Sequence, residues 1–441
     1  MTRLRAAAAI AAAALAACAL ALWPDYVRSR ADAARASALP VASPVNADYA
    51  TRDRVIAFWE HAANERHRGD MLSPATLSEE YLQRFRERGD VGDALRAESS
   101  AERSLAAQPY GNGRAELALA SAFIAMHRFH EALDLVRDVE RFDSADADLR
   151  MHEASIDLEL GRYADAGRIV RALRGGDVVA VDTLRARYDE LTGQIAEARM
   201  LIEHARVAAN AHADMPAQQR AWLAYRSGEL AFEAGDDETA IADERDALGT
   251  FPEYADANRL LARFTCAMHR WDDCLAAATA SARVVPYPEV LGYEVDAQRA
   301  LGRRGDAAQT DALIVAVDRI GNAQHIADRL LAIYYAEHDE HLQEAYAIAK
   351  RELAVRDDVL TEDTIAWCAV KTGRWTEARL RMAAAMRYGT QHALLFYHAG
   401  VVAQHFGDRV HARRYFSEAL RENGSFHAVY APDARARLAT L

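Results

Sequence analysis

Sixteen histidines in a chain of 441 residues make metal chemistry the first possibility to weigh. The densest group is Glu337-His338-Asp339-Glu340-His341, with Glu344 a turn further on. On a helix, His338 and His341 stand at i and i+3 and would present two imidazole nitrogens on one face, with Glu344 as a third ligand of the kind zinc accepts. The same stretch also falls where a polar turn between two helices belongs. We adopt the second reading, so no metal and no cofactor is expected, and His338, His341 and Glu344 are the candidates should one bind. A looser group is His398 and His405, seven apart, with His411 across the next expected turn. Carboxylate pairs such as Asp236 and Asp237 sit in expected turns and read as solvated charge. There is no GxSxG, P-loop, HExxH or strand-linked GxGxxG, so no catalytic residue is assigned and the chain is not read as an enzyme. After the first 23 residues three cysteines remain, Cys266, Cys274 and Cys368. An odd number without CxxC argues against a disulfide framework or zinc ribbon. Cys266 and Cys274 fall on consecutive expected helices, where pairing in an oxidising compartment competes with a role as two small buried residues; the second is expected.

The elements that would carry these residues show themselves by recurrence. Gly373-Arg374-Trp375-Thr376-Glu377-Ala378 returns 34 residues later as Gly407-Asp408-Arg409-Val410-His411-Ala412. His127 to Ala132 returns at the same interval as Gly161 to Ala166, and Pro252 as Pro286. One slot, followed along the chain, holds Ala94, Ala132, Ala166, Ala198, Ala240, Cys274, Ala307, Ala345, Ala378 and Ala412. Glycine (22) and proline (10) are too scarce for a β-sandwich or a Rossmann domain of this length, and no alternating strand pattern of useful length occurs.

This spacing and these residue types resemble the tetratricopeptide repeat (TPR). In that family a small residue sits at position 8, glycine often at 15, alanine at 20 and 27, and proline near 32. Residues 221–254 carry Gly228, Gly235, Ala240, Ala247 and Pro252 in those slots; residues 393–426 carry Gly400, Gly407, Ala412 and Ala419. The resemblance implies an all-α fold: an α-solenoid of about ten helix-turn-helix units in a right-handed superhelix. Residues 51–74 are expected to form an N-terminal capping helix, 75–426 the array, and 427–441 a C-terminal capping segment. Within the array 289–325 departs from the pattern, with Gly302 and Gly305 doubling the turn glycine and Asp311 standing where an apolar residue is expected. Neither helix of such a unit buries its apolar stripe alone, so each unit relies on its neighbours.

In TPR arrays the first helix of each unit lines a concave face through positions 2, 5, 9 and 12. The resemblance therefore implies a protein-binding groove of Trp222, Tyr225, Glu229, Phe232, Arg259, Arg263, Leu330, Tyr334, Trp367, Tyr397 and Gln404. Aromatics interspersed with arginine are the composition of binding hot spots. Trp222 and Tyr225 are expected to be exposed there, ready to hold a protein or peptide partner.

Composition and the N-terminus bound the setting. The formal net charge is −13, which gives no footprint for nucleic acid. Arg3 and Arg5 precede an apolar run, Ala6 to Trp23, which reads as a signal peptide or membrane anchor over 1–23; Leu15-Ala16-Ala17-Cys18 also resembles a lipobox. Residues 24–50, rich in Ala, Ser and Pro, read as a tether. Only Lys350 and Lys371 are lysine, beside abundant Arg and Ala, which suggests a high-GC genome. The reading is an exported, periplasmic or membrane-anchored interaction scaffold of the bacterial cell envelope, touching the membrane only through its leader. A metal- or solute-binding periplasmic component using the histidine groups is the alternative.

Overall fold

A computed structural model of the chain describes residues 47–441 apart from 67–68, 142–145, 175, 212–214 and 324–328. The signal or anchor and nearly all of the tether lie outside the described residues. Among the described residues there are 22 α-helices and no strand, and no helix is long and apolar enough to cross a membrane.

Helix α1 (Ala47–His61) leads into ten helical hairpins. They are α2 (Leu72–Arg88) with α3 (Val91–Ala107), α4 (Gly113–Ala125) with α5 (Phe129–Glu140), α6 (Ala147–Glu159) with α7 (Tyr163–Ala172), α8 (Val178–Leu191) with α9 (Ile195–Asn210), and α10 (Ala217–Glu233) with α11 (Asp237–Thr250). The second five are α12 (Ala255–Ala267) with α13 (Trp271–Val284), α14 (Pro288–Ala300) with α15 (Arg304–Ala323), α16 (Arg329–Glu337) with α17 (Leu342–Val355), α18 (Val359–Lys371) with α19 (Trp375–Ala385), and α20 (Ala393–His405) with α21 (Arg409–Glu422). Helix α22 (Tyr430–Thr440) closes the described chain.

Two local constraints build every hairpin. Reversing a helix within a few residues needs one residue in the left-handed region, and all ten turns have it: Gly89, His127, Gly161, Gly193, Gly235, His269, Gly302, Asp339, Gly373 and Gly407. Glycine adopts that conformation without the Cβ penalty, which explains seven of the ten. Five residues after nine of these, and six after Asp339, stands the recurrent small residue, from Ala94 to Ala412. All are fully buried, Ala307 alone keeping 3% exposure, because only a small side chain fits where the second helix crosses the first. Aspartates help start the helices: Asp146, Asp177, Asp236, Asp358 and Asp408 each accept a backbone N–H in the first turn.

The repeat register runs unbroken through 289–325, where the sequence departs from its pattern. Gly302 makes the turn between α14 and α15, and Ala307 is buried on schedule. Asp311 is accommodated because Arg299 donates to it at 2.8 Å and Tyr334 at 3.3 Å. The N-terminal cap is divided differently from the single helix expected over 51–74: α1 ends at His61, a π-helical turn spans Ala62–Arg66, and the first hairpin starts at Leu72.

The hairpins do more than stack on their neighbours. The turn of the first hairpin, at Gly89, lies against Val285 and Tyr287, in the loop after the sixth. The turns of the third, fourth and fifth, at Gly161, Gly193 and Gly235, lie against backbone carbonyls of Asp357 and Gly389, after the eighth and ninth, and of Glu422, at the end of the tenth. Each turn thus meets the loop that follows the hairpin five places on, 196 residues away in the first three cases. Polar contacts stitch this seam. Val359 N–H donates to the Tyr163 hydroxyl at 3.0 Å, Thr390 donates to the Leu191 carbonyl at 2.5 Å, and Asn423 donates to the Phe232 carbonyl at 2.6 Å. Arg356 pairs with Glu159 at 3.0 Å and His392 with Glu233 at 3.4 Å. Successive turns of the solenoid therefore touch, and the inner face is enclosed where an open groove was expected.

Candidate functional site

Enclosure changes the role of the predicted groove residues. Tyr225, Phe232, Tyr334, Trp367 and Tyr397 are all buried, so the expectation of an exposed aromatic stripe is corrected for these five. Phe232 stacks on Phe264 of the next hairpin, with centroids 4.3 Å apart, and Tyr334 fills the space over Gly292. Neighbouring units meet through these rings. Trp222 is half-buried, as are Glu229, Arg259, Arg263, Leu330 and Gln404.

The charged members are spent on one another. Arg226 joins Glu190 and Glu229, and Arg187 pairs with Glu190 at 2.9 Å. Arg259 donates to the Tyr225 hydroxyl at 2.8 Å and pairs with Glu289 at 3.1 Å; Arg263 pairs with Glu233 at 2.8 Å. Burial pushes the Glu233 carboxyl up, but His392 and Arg263 outweigh it and hold the group at about 2. These first-helix side chains form a ladder of ion pairs down the inner wall. Apart from it, Glu244 is fully buried beside Gly228 with neither carboxylate oxygen hydrogen-bonded, and burial raises its pKa well above the usual carboxylate range.

Two cavities open from this interior. One, of about 480 Å³, lies at the C-terminal end between α18, α20 and α22. Trp367, Trp375, Tyr397, His405, Tyr430 and Arg437 are among its walls. Tyr397 donates to Asp433 at 2.7 Å and stacks on Tyr430 at 4.7 Å, Trp375 stacks on His405 at 3.5 Å, and Lys371 stands over the Trp367 ring. Val429 lies exposed on its rim. The recess therefore brings Trp367, Tyr397 and Gln404 of the predicted set together. The second cavity, of about 380 Å³, lies on the seam and is walled by Trp222, Phe85, Arg86, Tyr254, Val285 and Tyr287 among others. Arg86 was not singled out from the sequence, although counting positions 9 and 12 in the first unit lands on Gln83 and Arg86.

The histidine groups come apart. The helix assumed for His338 and His341 ends at Glu337, and His341 is a left-handed turn residue. Both ring nitrogens of His338 are engaged, Nδ1 at 2.8 Å from the Tyr334 carbonyl and Nε2 at 2.9 Å from Asp296. His341 instead stands 3.6 Å from Glu344. His398 is buried against Asp363 at 2.9 Å and stacked on Trp367, while His411 binds Asp408 in its own turn. Among the described residues no three His, Cys, Asp or Glu side chains converge as metal ligands.

The cysteines correct the other expectation. Cys266 and Cys274 form a disulfide, with Cα atoms 5.1 Å apart. They occupy positions 12 and 20 of the sixth unit, which flank one turn, so reversal at His269 brings them together. Cys368 is free and buried.

No family model matches this chain, and no curated protein matches it. Among solved structures it is similar to the crystal structure of the APC/C hetero-tetramer Cut9-Hcn1, at 10% identity over 88% of this chain and 93% of that chain, with a TM-score of 0.31. By its own hairpins, turn residues and buried anchors, the chain is an all-α solenoid of TPR-like helical repeats.

Proposed function

We propose that this chain is a non-catalytic protein-interaction scaffold of the bacterial cell envelope, which receives an apolar or aromatic side chain of a protein partner in the C-terminal recess. The observation that carries this reading is the recess itself: about 480 Å³ of space walled by four aromatic rings, with Lys371, Arg437 and Asp433 beside them. Rigid aromatic walls next to a few charges are what a desolvated hot spot needs. A helical-repeat frame suits the task because its walls come from successive hairpins, whose spacing the stacking fixes. The basic-then-apolar N-terminus supports export, and the Cys266–Cys274 disulfide supports an oxidising compartment.

The test places a photo-cross-linking residue at Val429 in the full chain and recovers adducts from envelope extracts. A partner captured there should be lost with Gln404→Arg, which puts a long charged side chain at the edge of the recess. A partner whose capture is unaffected by Gln404→Arg, or that is held only through other surfaces, would remove the recess from the proposal. Residues 1–50 fused to a reporter active only outside the cytoplasm test the location; a well-expressed but silent reporter rejects export.

A further inference from the structure

The charge of the chain is unevenly placed. Residues 371–441 carry eleven Lys and Arg against five Asp and Glu, a net +6, so the rest of a chain totalling −13 carries −19. Much of this positive charge stands on the outward faces of α19 and α21, the second helices of the last two hairpins. The repeat register accounts for the arrangement. Arg379 and Arg413 each follow the buried anchor alanine, and Arg387 and Arg421 each stand nine residues beyond it, so both slots place an arginine on consecutive hairpins. All four are exposed, as is Arg414.

The carboxylates nearby do not cancel this charge. Glu377, Glu418 and Glu422 are half-buried, Glu377 accepts from Tyr346 at 2.6 Å, and Asp408 binds His411 in its own turn. Arg387, Arg414 and Arg421 each have one acid within reach, Asp357 at 3.6 Å, Glu418 at 3.8 Å and Glu422 at 2.8 Å. Among the described residues Arg413 has no ion pair, and Arg379 lies over the Phe406 ring at 4.3 Å instead of against a carboxylate. Apolar side chains are left in solvent between these arginines: Val410 is 79% exposed, Leu380 65% and Phe406 40%. Val410, Arg414, Ser417 and Arg421 form one stripe of α21, opposite the buried Ala412, Phe416 and Ala419. None of the exposed residues lines either cavity, so this outer face offers no hollow in which a peptide could lie.

We propose that the outer face of α19 and α21 docks on an anionic lipid bilayer, with the arginines receiving lipid phosphates and Leu380, Phe406 and Val410 entering the headgroup region. The guanidinium fork matches phosphate geometry, and basic residues interleaved with apolar ones are what an interfacial surface needs. A plane of phosphates meets outward-facing helices at many points, whereas a folded acidic protein would have to be hollowed to match them. The contact adds to the leader, the one membrane link expected from the sequence. The envelope location proposed above would bring such a bilayer within reach, and the experiment reads the patch whether or not that location holds.

An environment-sensitive fluorescent residue replaces Val410 in the full chain, which is mixed with vesicles of equal parts phosphatidylglycerol and phosphatidylcholine, or of phosphatidylcholine alone. A probe at this position separates the patch from any insertion of the leader. Its emission should shift to the blue with the mixed vesicles only, and the shift should fade as added salt screens the charges. Arg379→Gln combined with Arg413→Gln should raise the lipid concentration required at least roughly tenfold, because each basic residue near an anionic surface contributes about a factor of five. The same probe at Met200, exposed on α9 between Glu197 and Glu203, should not respond. The salt titration on the parent chain stands even if the double variant folds poorly. No shift at Val410, an equal shift with phosphatidylcholine alone, an equal response at Met200, or an unchanged lipid requirement in a folded double variant would each overturn the assignment. A stronger response to polyglutamate than to the mixed vesicles would overturn it in favour of an acidic protein partner.

Discussion

Gly161 and Gly407 do the same local job and have different surroundings. Both turn a hairpin, at φ of 74° and 75°. A Cβ on Gly407 would meet nothing within 4 Å, as would one on Gly302 or Gly373. A Cβ on Gly161 would collide with the Asp357 carbonyl, and one on Gly193 with that of Gly389. The first kind of glycine serves its own hairpin. The second also lets one turn of the solenoid touch the next. The difference teaches that this molecule has two kinds of contact, a repeating one between neighbours and a long-range seam, and that the same residue type serves both.

The largest expected effect separates them directly. Gly161→Ala must bear the left-handed strain of roughly 1–2 kcal/mol and an overpacking cost of about 1–3 kcal/mol. Gly407→Ala bears the strain alone. Urea denaturation of the two variants should show Gly161→Ala as the less stable; equal losses would mean that the seam does not hold in solution. Reducing the Cys266–Cys274 bond loads a hairpin without touching the seam. The chain-entropy account gives a loss of about 2–3 kcal/mol for so short a loop, and melts with and without reductant measure it. Next comes Asn423→Ala, which removes the donor to the Phe232 carbonyl and to Asp237 while the carbonyl keeps its bond from the Gly235 N–H. About 1 kcal/mol should be lost, together with faster hydrogen exchange at both edges of the seam. Gly407→Ala should leave that exchange at the Gly235 turn unchanged.

The smallest effect is a pH dependence placed in the repeats rather than the seam. Burial opposes the charge on His338, but Asp296 and the Tyr334 carbonyl prevail and raise it to about 9. A histidine with a raised folded value contributes fully below its unfolded value of about 6.5. That contribution is lost as pH rises from there through about 9. Asp296 is over a third exposed, so the contribution is discounted to less than about 1 kcal/mol. Denaturation midpoints of the parent should fall over that window relative to those of His338→Asn; parallel curves would show that the pair contributes nothing.

The recess and the seam cavity were legible to different degrees. Trp367, Tyr397 and Gln404 follow from counting positions along the first helices, where the 34-residue period sets the count and the TPR resemblance supplies the inward positions. Trp375 and Tyr430 do not follow from it, since one lies on a second helix and the other in the closing helix. The same count could place Arg86 on the inner face of the first unit, but not the Val285 that faces it.

By itself the sequence determined the hairpins and, outside 289–345, their register; through Asp311 the register came from the structure. The reason is that a left-handed turn residue and a small anchor five or six residues later are requirements of a single hairpin, and each limits which amino acids can stand there. Only the tertiary structure decided that the inner face closes, that Tyr225 and Phe232 are buried, and that Arg86 faces Val285 across a cavity. Those outcomes rest on how each hairpin is set against the last, a relation accumulated over five units. Where the turns finally meet, at Gly161 and Asp357 or Gly193 and Gly389, backbone touches backbone, and a carbonyl oxygen is common to every residue and leaves no mark in the sequence.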